Sequence, residues 1–160
     1  MNSTTQFLCT AFDESLSHRW ESVDDALRGV TEAEAAWQHP SYRDVEDPDP
    51  VPPPGTILWQ IVHLDQCLRH YRTIMLTRPR DDAFDTPPPP LGSLQSHITS
   101  LHEAAAALRR TFEVLTGDDL DTPCRHGMSV GEFIRMITRH NSWHAGQIKT
   151  IRRVYAHAVK

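Results

Sequence analysis

The longest uninterrupted helical pattern in the sequence runs from about Ser129 to His157, and it carries polar side chains in the middle of its apolar face. Apolar residues recur there at spacings of three and four, as in a helix that packs one face against a protein core. His140, His144 and Gln147 fall at the centre of that apolar face. Because a buried polar group without a partner costs a few kcal/mol, these three side chains require partners inside the protein.

Two histidines four residues apart on one helical face can present both imidazoles to a single metal ion. The alternative is that each is a buried histidine hydrogen-bonded to a carboxylate or a hydroxyl group. The central position of His140 and His144 favours the metal interpretation. Since two ligands hold a zinc-like ion weakly, this interpretation requires a third ligand from another element of the chain.

The remaining sequence predicts further amphipathic helices and no convincing strand. We expect a first helix over residues 4–29, a short helical turn over 31–37, a long helix over 57–77 that Thr56 caps, and another over 93–117. Two proline-rich connections, at about 38–55 and 79–92, separate these helices. The first is also acidic, and we expect an exposed connector there rather than a lid.

These helices predict the fold class and the domain organisation. With 160 residues, of which 39% are hydrophobic, the chain is long enough to bury one core. We therefore expect a single domain over residues 1–160 with an all-α fold, an antiparallel, up-and-down four-helix bundle.

The helix predicted over residues 57–77 offers two candidates for the third metal ligand. His63 lies on the flank of its apolar side, where a neighbouring helix would pack in a bundle, and it is the leading candidate. His70, two turns further on, is the alternative. His97 and His102 lie beside the apolar stripe of the following helix, and we expect them at the surface or at the rim of the core.

Charge and cysteine usage narrow the classes of function. The net charge of −5 provides no basic footprint for nucleic acid, so the arginine and lysine residues on the outer face of the last helix are expected to be solvated. No apolar run approaches the length of a membrane span, and the first residues lack the features of a signal peptide. Cys9, Cys67 and Cys124 lie far apart, which favours a reducing, cytoplasmic location over a disulfide framework.

Several motifs resemble those of a known family. The C-terminal part contains TGDDL at 116–120, SVGEF at 129–133 and HNSWHAGQI at 140–148, and the N-terminal part contains ALRGVTEAEAAW at 26–37 and GTILWQIVHL at 55–64. Together these segments resemble the DinB/YfiT-like superfamily of small four-helix proteins, and the resemblance covers nearly the whole chain.

The resemblance implies a metal site formed by His63, His140 and His144 with open coordination positions. Members of the family generally bind a divalent ion such as zinc or nickel there. Characterised members include transferases and isomerases that use a low-molecular-weight thiol, namely bacillithiol, mycothiol or glutathione. The resemblance therefore implies a metal-dependent enzyme with thiol S-transferase-like activity on a small-molecule substrate, and it is compatible with a homodimer that buries leftover apolar helix surface.

The chemistry of such a site leaves two alternatives to thiol transfer. Three neutral histidines leave the ion its full charge and at least one open position, from which it can activate water as well as a thiol. A metal-dependent hydrolase is thus the first alternative, and a non-catalytic metal- or ligand-binding bundle is the second. The sequence has no nucleophile elbow, phosphate-binding loop or dinucleotide-binding glycines, so we expect any catalysis to depend on the metal.

Three neighbours of His144 have expected roles. Gln147, one turn further along, could hydrogen-bond a metal-bound ligand or orient an imidazole. Trp143 lies at the edge of the apolar face and is expected in the core, or alternatively as a wall of the pocket. Gly146 faces away from the apolar side and is expected to permit the close approach of another helix.

Overall fold

The computed structural model describes residues 3–42, 52–79 and 84–159, and within these ranges the chain is mostly helical, as predicted for an all-α protein. The six α-helices of the described residues are α1 (Ser3–Ser17), α2 (Val23–Leu27), α3 (Glu32–Ala36), α4 (Ile57–Thr77), α5 (Leu94–Glu113) and α6 (Val130–Ala158). Short 3-10 turns cover Pro40–Tyr42 and Asp118–Asp121. Residues 43–51 and 80–83, which belong to the two predicted proline-rich connections, lie outside the described residues.

The long helices begin where the sequence places their caps. Thr56 accepts a hydrogen bond from the backbone N–H of Trp59 at 3.0 Å, and α4 ends at Thr77 as predicted. Ser129 begins α6 with a capping box, in which the Glu132 carboxylate accepts from the backbone N–H of Ser129 at 2.8 Å. Such caps satisfy N–H groups that have no partner within the helix, and each stabilises the helix by about 1 kcal/mol.

The predicted first helix over residues 4–29 is wrong in its continuity, because the chain leaves the helix after Ser17 and re-enters it as α2. Glu21 adopts a left-handed backbone conformation with φ of 60°. Ser22 then caps α2: its side chain accepts from the backbone N–H of Asp25 at 3.1 Å and donates to the carbonyl of His18 at 2.6 Å. Trp20 lies in this break between α1 and α2 and is 61% exposed.

A small antiparallel hairpin, absent from the sequence prediction, precedes α6. Its strands are β1 (Pro123–Arg125) and β2 (Met128–Ser129). His126 and Gly127 connect them with φ values of 49° and 72°, the conformation that a tight hairpin turn requires. The hairpin leads the chain directly into the cap of α6.

The four long helices contact one another in a closed circuit, in which α4 packs on α5, α5 on α1, α1 on α6 and α6 on α4. Their shared interior is apolar, with Phe12 and Phe112 meeting edge to face at 5.2 Å between ring centroids. Fully burying a side chain of this kind contributes about 1.5–3 kcal/mol. The four long helices therefore share one apolar core.

Two of the basic side chains of α6 that were expected to be solvated instead attach α2 and α3 to it. Lys149 Nζ lies 2.6 Å from Asp25 Oδ2, and Arg152 Nε lies 2.8 Å from Glu34 Oε1. Arg152 also donates to the backbone carbonyl of Ala26 at 2.9 Å. This face of α6 is thus partly an internal contact.

The two histidines expected at the surface or rim have different environments. His97 is only 3% exposed, because the segment before α5 folds back and the N–H of Gly92 donates to His97 Nε2 at 3.1 Å. His102 is exposed, as predicted, and its Nε2 lies 2.8 Å from Asp24 Oδ1 on α2.

Cys9, Cys67 and Cys124 are buried, and no disulfide joins them. None of the described helices is both long and apolar enough to cross a membrane.

Candidate metal centre

Helix α6 supplies two of the clustered histidines. His140 and His144 lie one turn apart, with their ring centroids 4.5 Å apart and their Nε2 atoms 3.0 Å apart. His144 is completely buried and His140 is partly buried. Their positions confirm that the centre of the apolar face of this helix points into the protein.

Helix α4 supplies the third histidine, His63. Its ring centroid lies 5.6 Å from that of His140 and 5.0 Å from that of His144. The Trp59 ring, one turn earlier on α4, stacks on His63 with an interplanar angle of 5° and fixes the plane of the imidazole. One nitrogen from each of the three histidines falls within 4.8 Å of the other two.

The alternative third residue, His70, lies outside this cluster. It is buried, and its Nδ1 lies 3.2 Å from the hydroxyl of Thr86, in the segment that precedes α5. Its Nε2 lies 3.2 Å from Arg125 Nη1 on β1. His70 thus connects α4 to two neighbouring segments. This is the structural role expected of a buried histidine that is hydrogen-bonded within the protein and binds no metal.

The protonation state of the cluster suits a metal ion. Burial lowers the pKa of His63. Burial, together with the proximity of the other imidazoles, lowers the pKa of His140 to about 4 and that of His144 to about 2. The three rings are therefore neutral at physiological pH and can offer lone pairs. In a tetrahedral zinc site two imidazole nitrogens lie about 3.3 Å apart, close to the spacing of the Nε2 atoms in α6. The residues present fit a divalent ion.

Two further side chains of α4 contact the imidazoles of α6. Gln60, which is 2% exposed, places its carbonyl Oε1 against His144 Nδ1 in a short hydrogen bond. The hydroxyl of Tyr71 lies 3.4 Å from His140 Nδ1. Both contacts are made to the Nδ1 atoms, so the two Nε2 atoms stay free to face each other. Metal-binding histidines are commonly oriented in this way, with one ring nitrogen towards the metal and the other hydrogen-bonded to a surrounding residue.

These two residues were not predicted as part of the site. Gln60 could have been found, because it is a polar residue three positions after Ile57 and four before Leu64 on the apolar stripe of α4. Tyr71 lies seven positions after Leu64 on the same side of α4, and the sequence gives no signal for the partner of its hydroxyl.

Cys67 adjoins the cluster as a buried thiol. Its Sγ lies 3.4 Å from His63 Nε2. Burial raises the pKa of Cys67 to about 12, so the sulfur is protonated and poorly nucleophilic.

A cavity of about 510 Å³ borders the site. It shares two side chains with the surroundings of the cluster, Gln60 and Trp143, and the Trp143 ring centroid lies 4.8 Å from that of His144. The described lining residues are neutral apart from any charge on histidine: His39, Tyr42, Gln60, Ser142, Trp143, Gly146, Gln147, Thr150 and Ile151. Small-molecule sites commonly have about 300–1,000 Å³.

The residues following His140 have roles that differ in part from those expected. Trp143 is 60% exposed, so the expectation of a core tryptophan is wrong and its alternative, a wall of the pocket, agrees with the cavity. Gln147 also lines the cavity, and its proposed contact with a metal-bound ligand stays a prediction. The close helix approach expected at Gly146 is not found: among the described residues outside its own helix turn, no atom lies within 4 Å of the position that a Cβ would occupy.

The comparison with protein families identifies one match, a sequence model described as the DinB superfamily, over residues 15–148. The matched region includes all three clustered histidines and covers most of the chain. No curated protein and no solved structure matches the chain.

Proposed function

The chain belongs to the DinB superfamily, and on this premise we propose that it is a metal-dependent enzyme in which His63, His140 and His144 hold one divalent ion. Zinc and nickel are the ions that we favour. The observation that carries the proposal is that three imidazoles from two helices converge. One nitrogen of each lies within 4.8 Å of the other two, so that a single ion could contact all three. We further propose that the long helices run antiparallel as an up-and-down bundle and that residues 1–160 form one domain.

A functional role fits this site better than a structural one. The apolar core already joins the four long helices, and we expect it to hold the fold together without an ion. Structural zinc sites are usually closed by four protein ligands, whereas catalytic sites have three and keep a position open. Three histidines from the chain match the second pattern.

The chain's own residues prepare the site for chemistry. A bound divalent ion would supply a Lewis acid that lowers the pKa of water or of a thiol. Burial keeps the imidazoles neutral, and Gln60 holds His144 in one orientation. The cavity beside them offers the amides of Gln60 and Gln147, hydroxyl groups and the ring of Trp143 to a small molecule.

We propose that this small molecule is a low-molecular-weight thiol and that the reaction transfers its sulfur to an electrophile. The sulfur forms a bond to an electrophilic carbon, the leaving group departs with the bonding pair, and the thiol proton passes to solvent. The resemblance to thiol-using members of the family supports this choice over hydrolysis. The cavity volume and its hydrogen-bonding side chains suit such a thiol.

The metal site is tested first by metal content and affinity. Chelator-treated protein should bind about one equivalent of zinc or nickel in a competition titration, and the bound metal should be measurable by elemental analysis. His140→Ala and His144→Ala should abolish stoichiometric binding, followed closely by His63→Ala. His70→Ala and His102→Ala remove histidines outside the cluster and should retain it. Loss of metal in His70→Ala but not in His63→Ala would contradict the ligand assignment.

The reaction is tested with two nucleophiles. A panel of low-molecular-weight thiols should react with an aromatic chloride, such as chlorodinitrobenzene, in a metal-dependent way that His144→Ala abolishes. Metal-dependent cleavage of a nitrophenyl ester without thiol transfer would instead assign a hydrolase. Metal binding with neither activity would indicate a non-catalytic binding bundle.

A further inference from the structure

We propose that Tyr71 is a positioning residue that selects the tautomer of His140, and that metal binding reverses the hydrogen bond between these two side chains. The inference rests on the proposed metal site. It concerns where the protons of the cluster lie before and after an ion binds.

Gln60 determines the tautomer of His144. The Oε1 atom of a carboxamide only accepts hydrogen bonds, and in this protein it lies against His144 Nδ1. The Nδ1 atom must therefore carry the hydrogen of this neutral imidazole and donate it to Gln60. As a result, His144 Nε2 has a lone pair and no hydrogen.

The contact between the two Nε2 atoms then determines the tautomer of His140 in the absence of metal. These atoms are 3.0 Å apart, which is a hydrogen-bonding distance. Two bare lone pairs at this distance would repel each other, so one nitrogen has to carry a hydrogen. Since His144 Nε2 carries none, His140 must donate from its own Nε2, and His140 Nδ1 is left as an acceptor.

The hydroxyl of Tyr71 is the hydrogen-bond donor to His140 Nδ1. Its hydroxyl lies 3.4 Å from that nitrogen, and its ring is 8% exposed and packs edge to face on Phe133 at 5.5 Å. The metal-free cluster is therefore a directional chain, in which Tyr71 donates to His140, His140 to His144 and His144 to Gln60. Each donor and acceptor in the chain is used once.

An ion held by the Nε2 atoms of His140 and His144 would need a lone pair on each of them. His140 must then carry its hydrogen on Nδ1 and donate it to the oxygen of Tyr71. The imidazole stays neutral, because one proton leaves Nε2 and one arrives at Nδ1 through exchange with solvent. The hydroxyl hydrogen of Tyr71 turns away from His140, so that the hydroxyl oxygen accepts instead of donating.

The positions of these hydrogens can be measured by nuclear magnetic resonance. Long-range ¹H–¹⁵N spectra of the imidazoles distinguish the two neutral tautomers. Chelator-treated protein should show His140 with hydrogen on Nε2 and His144 with hydrogen on Nδ1. One equivalent of zinc should move the hydrogen of His140 to Nδ1 and leave the tautomer of His144 unchanged.

The contribution of Tyr71 can be measured by zinc affinity. Tyr71→Phe removes the acceptor for the Nδ1–H of the metal-bound form and should weaken binding about 10–100-fold, as is typical for partners of metal-binding histidines. Tyr155→Phe is the matched control, since it removes the same hydroxyl from a ring that packs on Trp37 outside the cluster. It should change zinc affinity less than about twofold.

The possible results separate this inference from the metal-site proposal. If zinc binds while His140 keeps one tautomer throughout, or if Tyr71→Phe retains full affinity, the role of Tyr71 is refuted and the metal site stands. If zinc leaves every imidazole signal unchanged, the metal site itself is refuted and the inference with it. Should Tyr71→Phe fail to fold, the spectra of the unaltered protein decide the question alone.

Discussion

Acid should destabilise the metal-free protein, because its clustered imidazoles stay neutral in the fold while those of the unfolded chain take up protons. Burial lowers the pKa of His140 to about 4 and that of His144 to about 2, whereas the unfolded chain titrates near about 6.5. A group whose pKa is lowered on folding contributes stability that is complete above its unfolded pKa. That contribution is lost as the pH falls towards the folded value.

The magnitude follows from the width of this window. Each pH unit below the unfolded pKa removes about 1.4 kcal/mol per imidazole that remains neutral in the fold. At about pH 5 this amounts to roughly 2 kcal/mol for each histidine. Because solvent reaches His140, we expect the pair to account for about 3 kcal/mol rather than about 4. This is a large part of a total stability of about 5–15 kcal/mol.

Urea unfolding of chelator-treated protein at about pH 7.5 and about pH 5 measures the effect. The free energy of unfolding should fall by about 3 kcal/mol in the unaltered protein, and His144→Gln should show roughly half of this fall. Tyr71→Phe keeps all three imidazoles and should retain the full pH dependence. An equal fall in His140→Gln/His144→Gln protein would refute the reasoning, since the loss would then come from other groups.

The other predictions concern contacts outside the cluster and the effect of metal removal. Arg152→Ala should lower the free energy of unfolding by about 2 kcal/mol, because it leaves Glu34 without its partner. Arg153→Ala, at an exposed neighbouring position, should change it by less than about 0.5 kcal/mol; equal effects would show that the contacts of Arg152 contribute nothing. The hydrogen bond to Asp24 raises the pKa of His102, so its stabilisation is complete below an unfolded pKa of about 6.5 and is lost as the pH rises through the higher folded value. His102→Gln should therefore lower the melting temperature more at about pH 6 than at about pH 9, and the reverse order would contradict the assignment. Removing the metal with a chelator should leave the far-ultraviolet circular dichroism spectrum helical, and unfolding of the chelated protein would instead indicate a structural metal.

The sequence predicted the helices best where caps and periodicity agree. Thr56 and Ser129 cap α4 and α6, and apolar residues continue at helical spacing between those caps and the predicted ends. The break between α1 and α2 was missed because two helices joined by a short link can keep similar apolar spacing. Ser22, followed three residues later by Asp25, was the available signal, since serine often begins a helix.

The clustered histidines of α6 could be predicted because they are polar residues in the middle of an apolar helix face. A polar residue in the middle of an apolar stripe must have a partner, and His140 and His144 share one face. His63 could be ranked above His70 only by its resemblance to a family position and its place on the flank of α4. Which of the two reaches α6 depends on how the helices pack, and spacing along one helix does not contain that information.

The contacts of α4 show why ligand geometry and hydrogen positions depend on the same interface. This helix carries His63, and it also carries Gln60 and Tyr71, which contact the two imidazoles of α6. A small shift of α4 against α6 would therefore change two things together. It would alter the distances between the imidazole nitrogens, and it would alter the hydrogen bonds that Gln60 and Tyr71 make to the imidazoles of α6. Each of these residues taken alone has an ordinary explanation, as a core tyrosine, a buried amide or an interfacial histidine. Their combination on the side of α4 that faces α6 favours a metal centre, since three separate structural needs would not require the polar groups to meet at one point.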